Sequence, residues 1–212
     1  MRETRSGDTI PVPRDSTKTR QRILDAAYTL FHRSGFSRIG VDEIAAGANV
    51  TKRTLYSHFP SKDALLAECL RSQAALAADG FKSWGQRLPA SREALVDALF
   101  DALSKWSAKP RWAGSGFTRV AIELTDLPGH PARAIARRHK AMLEDYLTEL
   151  LERAGVDSPR ERARQLWIVM EGAMLMALIC GDRSYITSAQ RAARMLIAEP
   201  QPSPPAKSRL RR

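Results

Sequence analysis

Four side chains between residues 52 and 58 have the chemistry to read nucleic-acid bases: Lys52, Arg53, Ser57 and His58. Lys52 and Arg53 can donate hydrogen bonds to O6 and N7 of guanine, and Ser57 or His58 could add a further contact. All four fall within two helical turns, so one short helix could present them together. The alternative is a solvated helix surface on which His58 caps its own helix.

A second set in the same stretch suits phosphate: Thr51, Thr54, Tyr56 and Lys62. Hydroxyl and ammonium groups that bind phosphates fix the register of a protein on a duplex without reading its sequence. The two sets together are typical of a surface that contacts both backbone and bases.

The residues before Thr51 predict the elements that would hold this surface. Apolar residues recur at i, i+3, i+4 and i+7, the spacing of a short helix with one buried stripe: Val41, Ile44, Ala45 and Ala48. Asn49 tolerates a left-handed backbone and can close a tight turn. Thr51 is a good N-cap for a second helix that buries Leu55 and Phe59 and ends before Pro60. Two short helices joined by such a turn form a helix-turn-helix, whose second helix fits a DNA major groove.

A longer helix precedes this motif. We expect it from about Ser16 to Ser34, with a glycine C-cap at Gly35 and a hydrophobic contact from Phe36. Residues 1–15 lack periodicity and are predicted to be a flexible arm. Basic residues near the start of the helix, among them Lys18 and Arg20, could touch phosphate.

Residues 17–70 resemble the DNA-binding domain of the TetR family of bacterial transcriptional regulators. The resemblance rests on the sequences RSGF, VDEIA, ANVTK and TLYSHFPSKDAL. It implies that Tyr56, His58 and Lys62 bind the DNA backbone. Asn49 stands where the family usually has Gly, and Gly40 where it usually has Ser or Thr. Gly47 is also unusual and should loosen its helix by up to about 1 kcal/mol relative to Ala.

The chain beyond Lys62 predicts further helices and no strand. Ser61 and Ser91 are expected N-caps, Pro131 opens a helix, and Ser158-Pro159-Arg160-Glu161 reads as a capping box. The helix after Ser61 is expected to bury one stripe: Leu65, Leu66, Cys69, Leu70 and Leu76. Residues 166–180 are apolar on nearly every face, so we expect the chain's own core on one side and a partner subunit on the other.

This second part looks like the regulatory domain of TetR-type proteins. The resemblance implies homodimerisation through the last two long helices and a small-molecule pocket among the fourth to eighth helices. Aromatic, methionine and acidic side chains are the candidate ligand contacts: Trp106, Phe117, Met142, Tyr146, Trp167, Met170, Glu171 and Met174. Most such residues at helical spacing are ordinary core. Glu171 needs a partner, which could be an Arg, the dimer seam or a cationic ligand.

Composition excludes several classes of protein. The formal net charge is +11, and residues 1–62 carry +5 of it, as a phosphate-binding surface requires. Cys69 and Cys180 are too far apart in sequence for a zinc or disulfide motif, and the four histidines have no metal-ligand spacing. Gly114-Ser115-Gly116 is not a nucleophile elbow. We therefore predict no catalytic residues, no metal and no cofactor, in a cytoplasmic protein with no membrane span.

The sequence thus predicts an all-α protein with an N-terminal three-helix helix-turn-helix domain and a C-terminal helical ligand-binding and dimerisation domain. The expected boundaries are an arm at 1–15, the DNA-binding domain at 16–62, the regulatory domain at 63–198 and a disordered basic tail at 199–212. A homodimer would place two recognition helices about 34 Å apart on a double-stranded palindromic operator, and a small-molecule effector would release it. The rival hypotheses are a sequence-indifferent architectural DNA-binding protein and, less favoured, a small-molecule-modifying enzyme.

Overall fold

A computed structural model describes residues 14–85, 89 and 91–198 of the chain. Over these residues it contains nine α-helices and no strand, in agreement with the predicted all-α class. The helices are α1 (Arg14–Ser34), α2 (Val41–Gly47), α3 (Lys52–His58), α4 (Lys62–Gly85), α5 (Arg92–Ser107), α6 (Gly116–Glu123), α7 (Pro131–Arg153), α8 (Pro159–Cys180) and α9 (Ser184–Ala198). The tail predicted at 199–212 and most of the arm predicted at 1–15 lie outside the described residues.

The helices form two compact units. The N-terminal unit extends to Gln73 and also includes Arg119–Ile135, whereas the C-terminal unit comprises Ala74–Thr118 and the chain from Ala136 onward. The end of α6 and the start of α7 thus pack with the N-terminal helices, and the functional boundary expected at residue 62 stays a prediction. The division falls inside α4, α6 and α7, so each of these helices belongs partly to both units.

Apolar side chains of α1 to α4 build the core of the N-terminal unit. Ile23, Ile44, Leu55 and Leu65 are each fully buried. The corner between α1 and α2 is closed by Gly35, which has a φ of +87° and whose N–H donates to the carbonyl oxygen of Phe31 at 2.9 Å. The predicted glycine C-cap is therefore present. The shared core holds α1, α2 and α3 together around this corner.

Arg119 and Glu123 of α6 hold this same corner from outside. The Arg119 Nη1 donates to the carbonyl oxygen of His32 at 3.0 Å, and the Ser37 backbone N–H donates to the Glu123 carboxylate at 3.1 Å. Arg119 and Glu123 also pair with each other at 3.1 Å. The end of α1 is thus capped by residues that lie about ninety positions later in the chain.

The C-terminal unit has a core of its own, formed by α5, α7, α8 and α9. Its most deeply buried side chains come from all four helices: Leu95, Val96, Phe100, Leu151, Ala163, Leu166 and Ala193. Ser91 caps α5 by accepting from the Ala94 N–H at 3.4 Å, as predicted. Pro131 opens α7 at the predicted place.

Two sequence predictions in this region are wrong. Ser158 does not form a capping box, because its φ of 50° and ψ of 54° place it in the left-handed region and its hydroxyl makes no cap hydrogen bond. Leu76 is not in the core and is 63% exposed. It lies on nearly the same face of α4 as Leu65, eleven residues earlier, but past Gln73, where the N-terminal unit ends.

The apolar helix α8 has a buried face and an open face. Leu166, Met170 and Ala173 face the core of the unit, whereas Ile168 and Ile179 are 64% and 68% exposed. By length and composition alone α8 could cross a membrane, although we expected no membrane span. One such helix is weak evidence, since a core helix of a soluble protein meets the same test, and one face of α8 is packed in this core.

Candidate functional site

The turn before α3 is fixed by local backbone geometry. Asn49 adopts the left-handed conformation expected of it, with a φ of 53°. The Val50 N–H donates back to the carbonyl oxygen of Ala45 at 3.0 Å, which ties the turn to α2. Thr51 then caps α3, because its Oγ1 accepts from the Thr54 N–H at 3.1 Å. The helix-turn-helix predicted from the sequence is therefore present.

The two faces of α3 differ as a DNA-reading helix requires. Leu55 is fully buried and Phe59 follows it into the core, while Arg53 is exposed and Tyr56 is 42% exposed. Within the described residues, the Arg53 guanidinium makes no hydrogen bond or ion pair. A solvent-exposed guanidinium at the start of the helix can donate two hydrogen bonds to a guanine base.

Lys52 is already paired in the free protein. Its ammonium lies 3.1 Å from Oδ1 and 3.2 Å from Oδ2 of Asp42 in the first turn of α2. Lys52 and Arg53 were predicted as equivalent guanine contacts, but only Arg53 can reach DNA without exchanging a partner.

The hydroxyl groups of α3 are partly used by the helix itself. The Thr51 and Thr54 side chains lie 2.8 Å apart, and the Ser57 Oγ donates to the Thr54 carbonyl oxygen at 2.7 Å. His58 is half-buried at the end of the helix, with its ring 6.5 Å from that of Phe59. A hydroxyl oxygen bonded in this way can still accept or exchange hydrogen bonds, so the placement is compatible with the predicted phosphate contacts.

Lys62 lies at the start of α4 with its ammonium 4.2 Å from the centre of the Phe36 ring. Burial lowers its pKa, and the neighbouring carboxylates of Asp63, Glu123 and Glu43 oppose that shift. Arg20 is used differently from our expectation of a phosphate contact. It pairs with Glu68 at 3.0 Å and lies 5.0 Å from the centre of the Phe59 ring, so it ties α1 to α4.

The predicted ligand contacts all lie in the C-terminal unit. Phe117, Met170 and Met174 are buried, and the others are half-buried: Trp106, Met142, Tyr146, Trp167 and Glu171. Met170 and Met174 belong to the core, and Trp106, Tyr146 and Trp167 pack against it. Much of this set of predicted ligand contacts therefore consists of ordinary core residues, which was the alternative interpretation.

Glu171 is the exception, because it joins a polar cluster with a Lys that sequence analysis did not single out. One carboxylate oxygen pairs with the Lys140 ammonium, and the other accepts from the Thr118 hydroxyl at 2.9 Å. Lys140 also donates to the Ser115 hydroxyl at 3.2 Å and lies 5.1 Å from the centre of the Trp167 ring. Burial lowers the pKa of Lys140, and Glu171 opposes that shift. The partner that Glu171 needs is thus Lys140 rather than an Arg.

His139 stands beside this cluster. Its ring stacks on Phe117 with 3.8 Å between ring centres, and its buried Nδ1 has no hydrogen-bond partner among the residues that the structure describes. Burial, assisted by the Lys140 charge, lowers the pKa of His139 to about 4, so the ring is neutral at physiological pH. A neutral aromatic face, an ion pair and two hydroxyls are thereby collected in one part of the unit.

The C-terminal unit also carries an open apolar surface on α8 and α9. Its members are large side chains that a soluble monomer rarely exposes together: Ile168, Leu175, Met176, Leu178, Ile179, Tyr185 and Met195. Exposed apolar groups of this kind are typical of surfaces that bind another protein, a membrane or a ligand.

Comparison with known families decides the class of protein. Residues 23–69 match the model of bacterial regulatory proteins of the tetR family. Residues 90–199, more than half of the chain, match the tetracyclin repressor-like C-terminal domain. The chain belongs to the TetR family. It is accordingly a transcriptional regulator with a DNA-binding helix-turn-helix, as the residues of α2 and α3 had indicated.

Individual TetR-type proteins resemble the chain over most of its length. The HTH-type transcriptional regulator YjdC of Escherichia coli is 26% identical over 178 residues, which span 82% of this chain and 91% of YjdC. A TetR-type regulator from Streptomyces avermitilis is 32% identical, with a TM-score of 0.69 over 82% of this chain and 97% of that one. Reduced NemR of E. coli, at 22% identity, shares the fold with a TM-score of 0.76, over 86% of this chain and 99% of NemR.

The structure of this TetR-family regulator also places residues that sequence reasoning missed. Asp42 lies in the first turn of α2, where acidic residues are common because they complement the helix dipole. Its position therefore gave no sign that it pairs with Lys52. Lys140 could have been suspected as the counter-ion of Glu171, since a carboxylate in an apolar helix needs one. Arg119 and Glu123 gave no signal, because their partners lie about ninety residues away in sequence.

Proposed function

We propose that the protein is a repressor that binds a palindromic operator as a homodimer and is released by a small molecule. The observation that carries the DNA-binding part is the exposed Arg53 on α3, which has no partner in the described part of the chain and lies opposite the buried Leu55. Arg53 would read guanine, and Lys52 would join it after leaving Asp42. Thr51, Thr54, Tyr56 and Lys62 would bind phosphates, and Ser57 and His58 would add contacts at the groove.

The open apolar surface on α8 and α9 supports the homodimer. Large side chains such as Ile168 and Ile179 lose little by being exposed singly, but together they favour burial against a second copy of the same surface. Twofold symmetry in the protein would then match a palindrome in the operator, with the two half-sites about 34 Å apart.

The polar cluster around Glu171 supports an effector site in the C-terminal unit. A partly dehydrated ion pair with hydroxyl and aromatic neighbours can exchange one of its partners for a ligand group. The cluster includes Thr118 of α6, and the next residue, Arg119, caps α1. Ligand binding that displaced α6 would therefore act on the DNA-binding helices in proportion to the ligand's differential affinity for the two states.

Selection of bound fragments from random and genomic DNA, followed by footprinting, tests the operator. We expect one short palindrome to be protected by a dimeric protein. The genes beside this palindrome would suggest candidate effectors. Binding of each candidate would then be tested by quenching of Trp167 fluorescence, with the Trp167→Phe variant as the control. Equal affinity for every duplex would instead favour an architectural DNA-binding protein. Turnover of a small molecule would favour the enzyme hypothesis, for which no catalytic constellation occurs among the described residues.

A further inference from the structure

Asp42 is a carboxylate beside the recognition helix of a protein that binds DNA. It follows Val41 at the start of α2, and its neighbour Glu43 has a structural task, since the Glu43 carboxylate accepts from the Gly40 N–H at 3.0 Å. Asp42 has no such task within α2. Both of its carboxylate oxygens face the ammonium of Lys52, the first residue of α3.

The first residues of a recognition helix are those that meet base edges in the major groove. A carboxylate about 3 Å from Lys52 therefore lies at the DNA-facing end of the motif. The Asp42 and Lys52 side chains are 78% and 53% exposed, so the pair is accessible to solvent and to DNA. Such an exposed pair contributes only about 0–1 kcal/mol, so the two acceptors of a well-placed guanine can displace Asp42.

We infer that Asp42 is a specificity-determining residue. It holds the Lys52 ammonium away from phosphates, so that Lys52 adds to the affinity only where a guanine takes the place of Asp42 as its hydrogen-bond partner. Non-specific affinity depends on the number of phosphates that Lys and Arg neutralise. A Lys that is already neutralised by Asp42 does not contribute to that number. The adjacent Arg53, which has no such partner in the described chain, is not restricted in this way.

The inference rests on the proposed operator binding, but its first test does not need an operator. On a random duplex, Asp42→Asn should raise affinity about 3- to 10-fold near 0.1 M salt. It should also steepen the dependence of log K on log salt concentration by about 0.9, the value for one additional phosphate contact. Asp42→Glu should restore wild-type behaviour. Asp126→Asn, an exposed change of the same charge in the same unit, should leave the salt slope unchanged.

A double-mutant cycle distinguishes the effect of the Asp42–Lys52 pair from direct electrostatic repulsion between Asp42 and DNA. We expect the effect of Asp42→Asn on the salt slope to vanish in a Lys52→Gln background. An equal effect in both backgrounds would overturn the inference, because Asp42 would then act without Lys52.

The selected operator gives the second test. Asp42→Asn should raise affinity for random DNA more than affinity for the operator, so the ratio of the two should fall. An equal rise on both would overturn the inference even though the operator exists. Failure to find any preferred duplex would instead contradict the proposed function, and the random-duplex experiment would still report on the pair.

Discussion

Arg119 donates a hydrogen bond to the carbonyl oxygen of His32, across 87 positions of sequence, and so caps the last turn of α1. A helix end leaves carbonyl oxygens without partners inside the helix, and a guanidinium at that end also complements the helix dipole. Glu123 completes the arrangement by binding both Arg119 and the backbone N–H of Ser37.

Removal of Glu123 should therefore destabilise the N-terminal unit. We expect Glu123→Ala to lower the free energy of unfolding by about 1–2 kcal/mol, because it leaves Arg119 and the Ser37 N–H without this partner. Urea denaturation followed by circular dichroism measures the change. Glu149→Ala, an exposed change on α7 in the other unit, is the matched control. Equal effects of the two substitutions would contradict the proposed capping role.

Gly35 in this corner and Gly47 at the end of α2 should respond oppositely to alanine. A Cβ at Gly35 would lie 2.7 Å from Oε1 of Glu123 at a φ of +87°, so Gly35→Ala should cost more than about 1 kcal/mol. A Cβ at Gly47 would meet Ala26 and Leu30 at 3.6 and 3.7 Å, which are ordinary contacts. Gly47→Ala should thus stabilise the unit by up to about 1 kcal/mol. Thermal unfolding should show a lower melting temperature for Gly35→Ala and a higher one for Gly47→Ala than for the wild-type protein.

Arg53 should carry sequence discrimination. We expect Arg53→Ala to weaken operator binding by about 1–3 kcal/mol and to relax the preference at one base position. Titration against a set of single-base operator variants measures both effects, with Lys105→Ala on α5 as the control. If binding to every duplex falls by the same factor, Arg53 is a phosphate contact instead.

A charge placed on the open surface of α8 should prevent association. Ile179→Glu should convert a dimer into a monomer, because a buried carboxylate without a partner disfavours the interface. Light scattering after gel filtration gives the mass, and Ile122→Glu, at another exposed isoleucine in the other unit, is the control. A variant that stays dimeric would show that Ile179 lies outside the interface.

Acid should destabilise the C-terminal unit through His139. Its folded pKa of about 4 lies below the ordinary value near 6.5, so the unfolded chain binds more protons between these values. This contribution to stability is complete above pH 6.5 and is lost as the pH falls towards 4. Urea denaturation at a series of pH values should show a shallower loss for His139→Gln than for the wild-type protein. Parallel pH profiles would contradict the assignment.

Local chemistry determined much of the DNA-binding motif. The apolar spacing in α2, the left-handed Asn49 and the cap at Thr51 each involve residues within one or two turns, so the sequence was enough to predict them. Local reasoning failed at Ser158, where the backbone takes a left-handed conformation that the cap pattern does not reveal. It failed again at Leu76, because helical periodicity identifies a face but not how far the core extends along it.

The sequence by itself determined the helices, the helix-turn-helix and the class of regulator, because these depend on short-range periodicity, capping and residue type. Tertiary structure alone decided which charges are free. It paired Lys52 with Asp42, Glu171 with Lys140 and Arg119 with the end of α1. Such pairs form between helices that the chain brings together only on folding, and no spacing along the sequence encodes the distance between them.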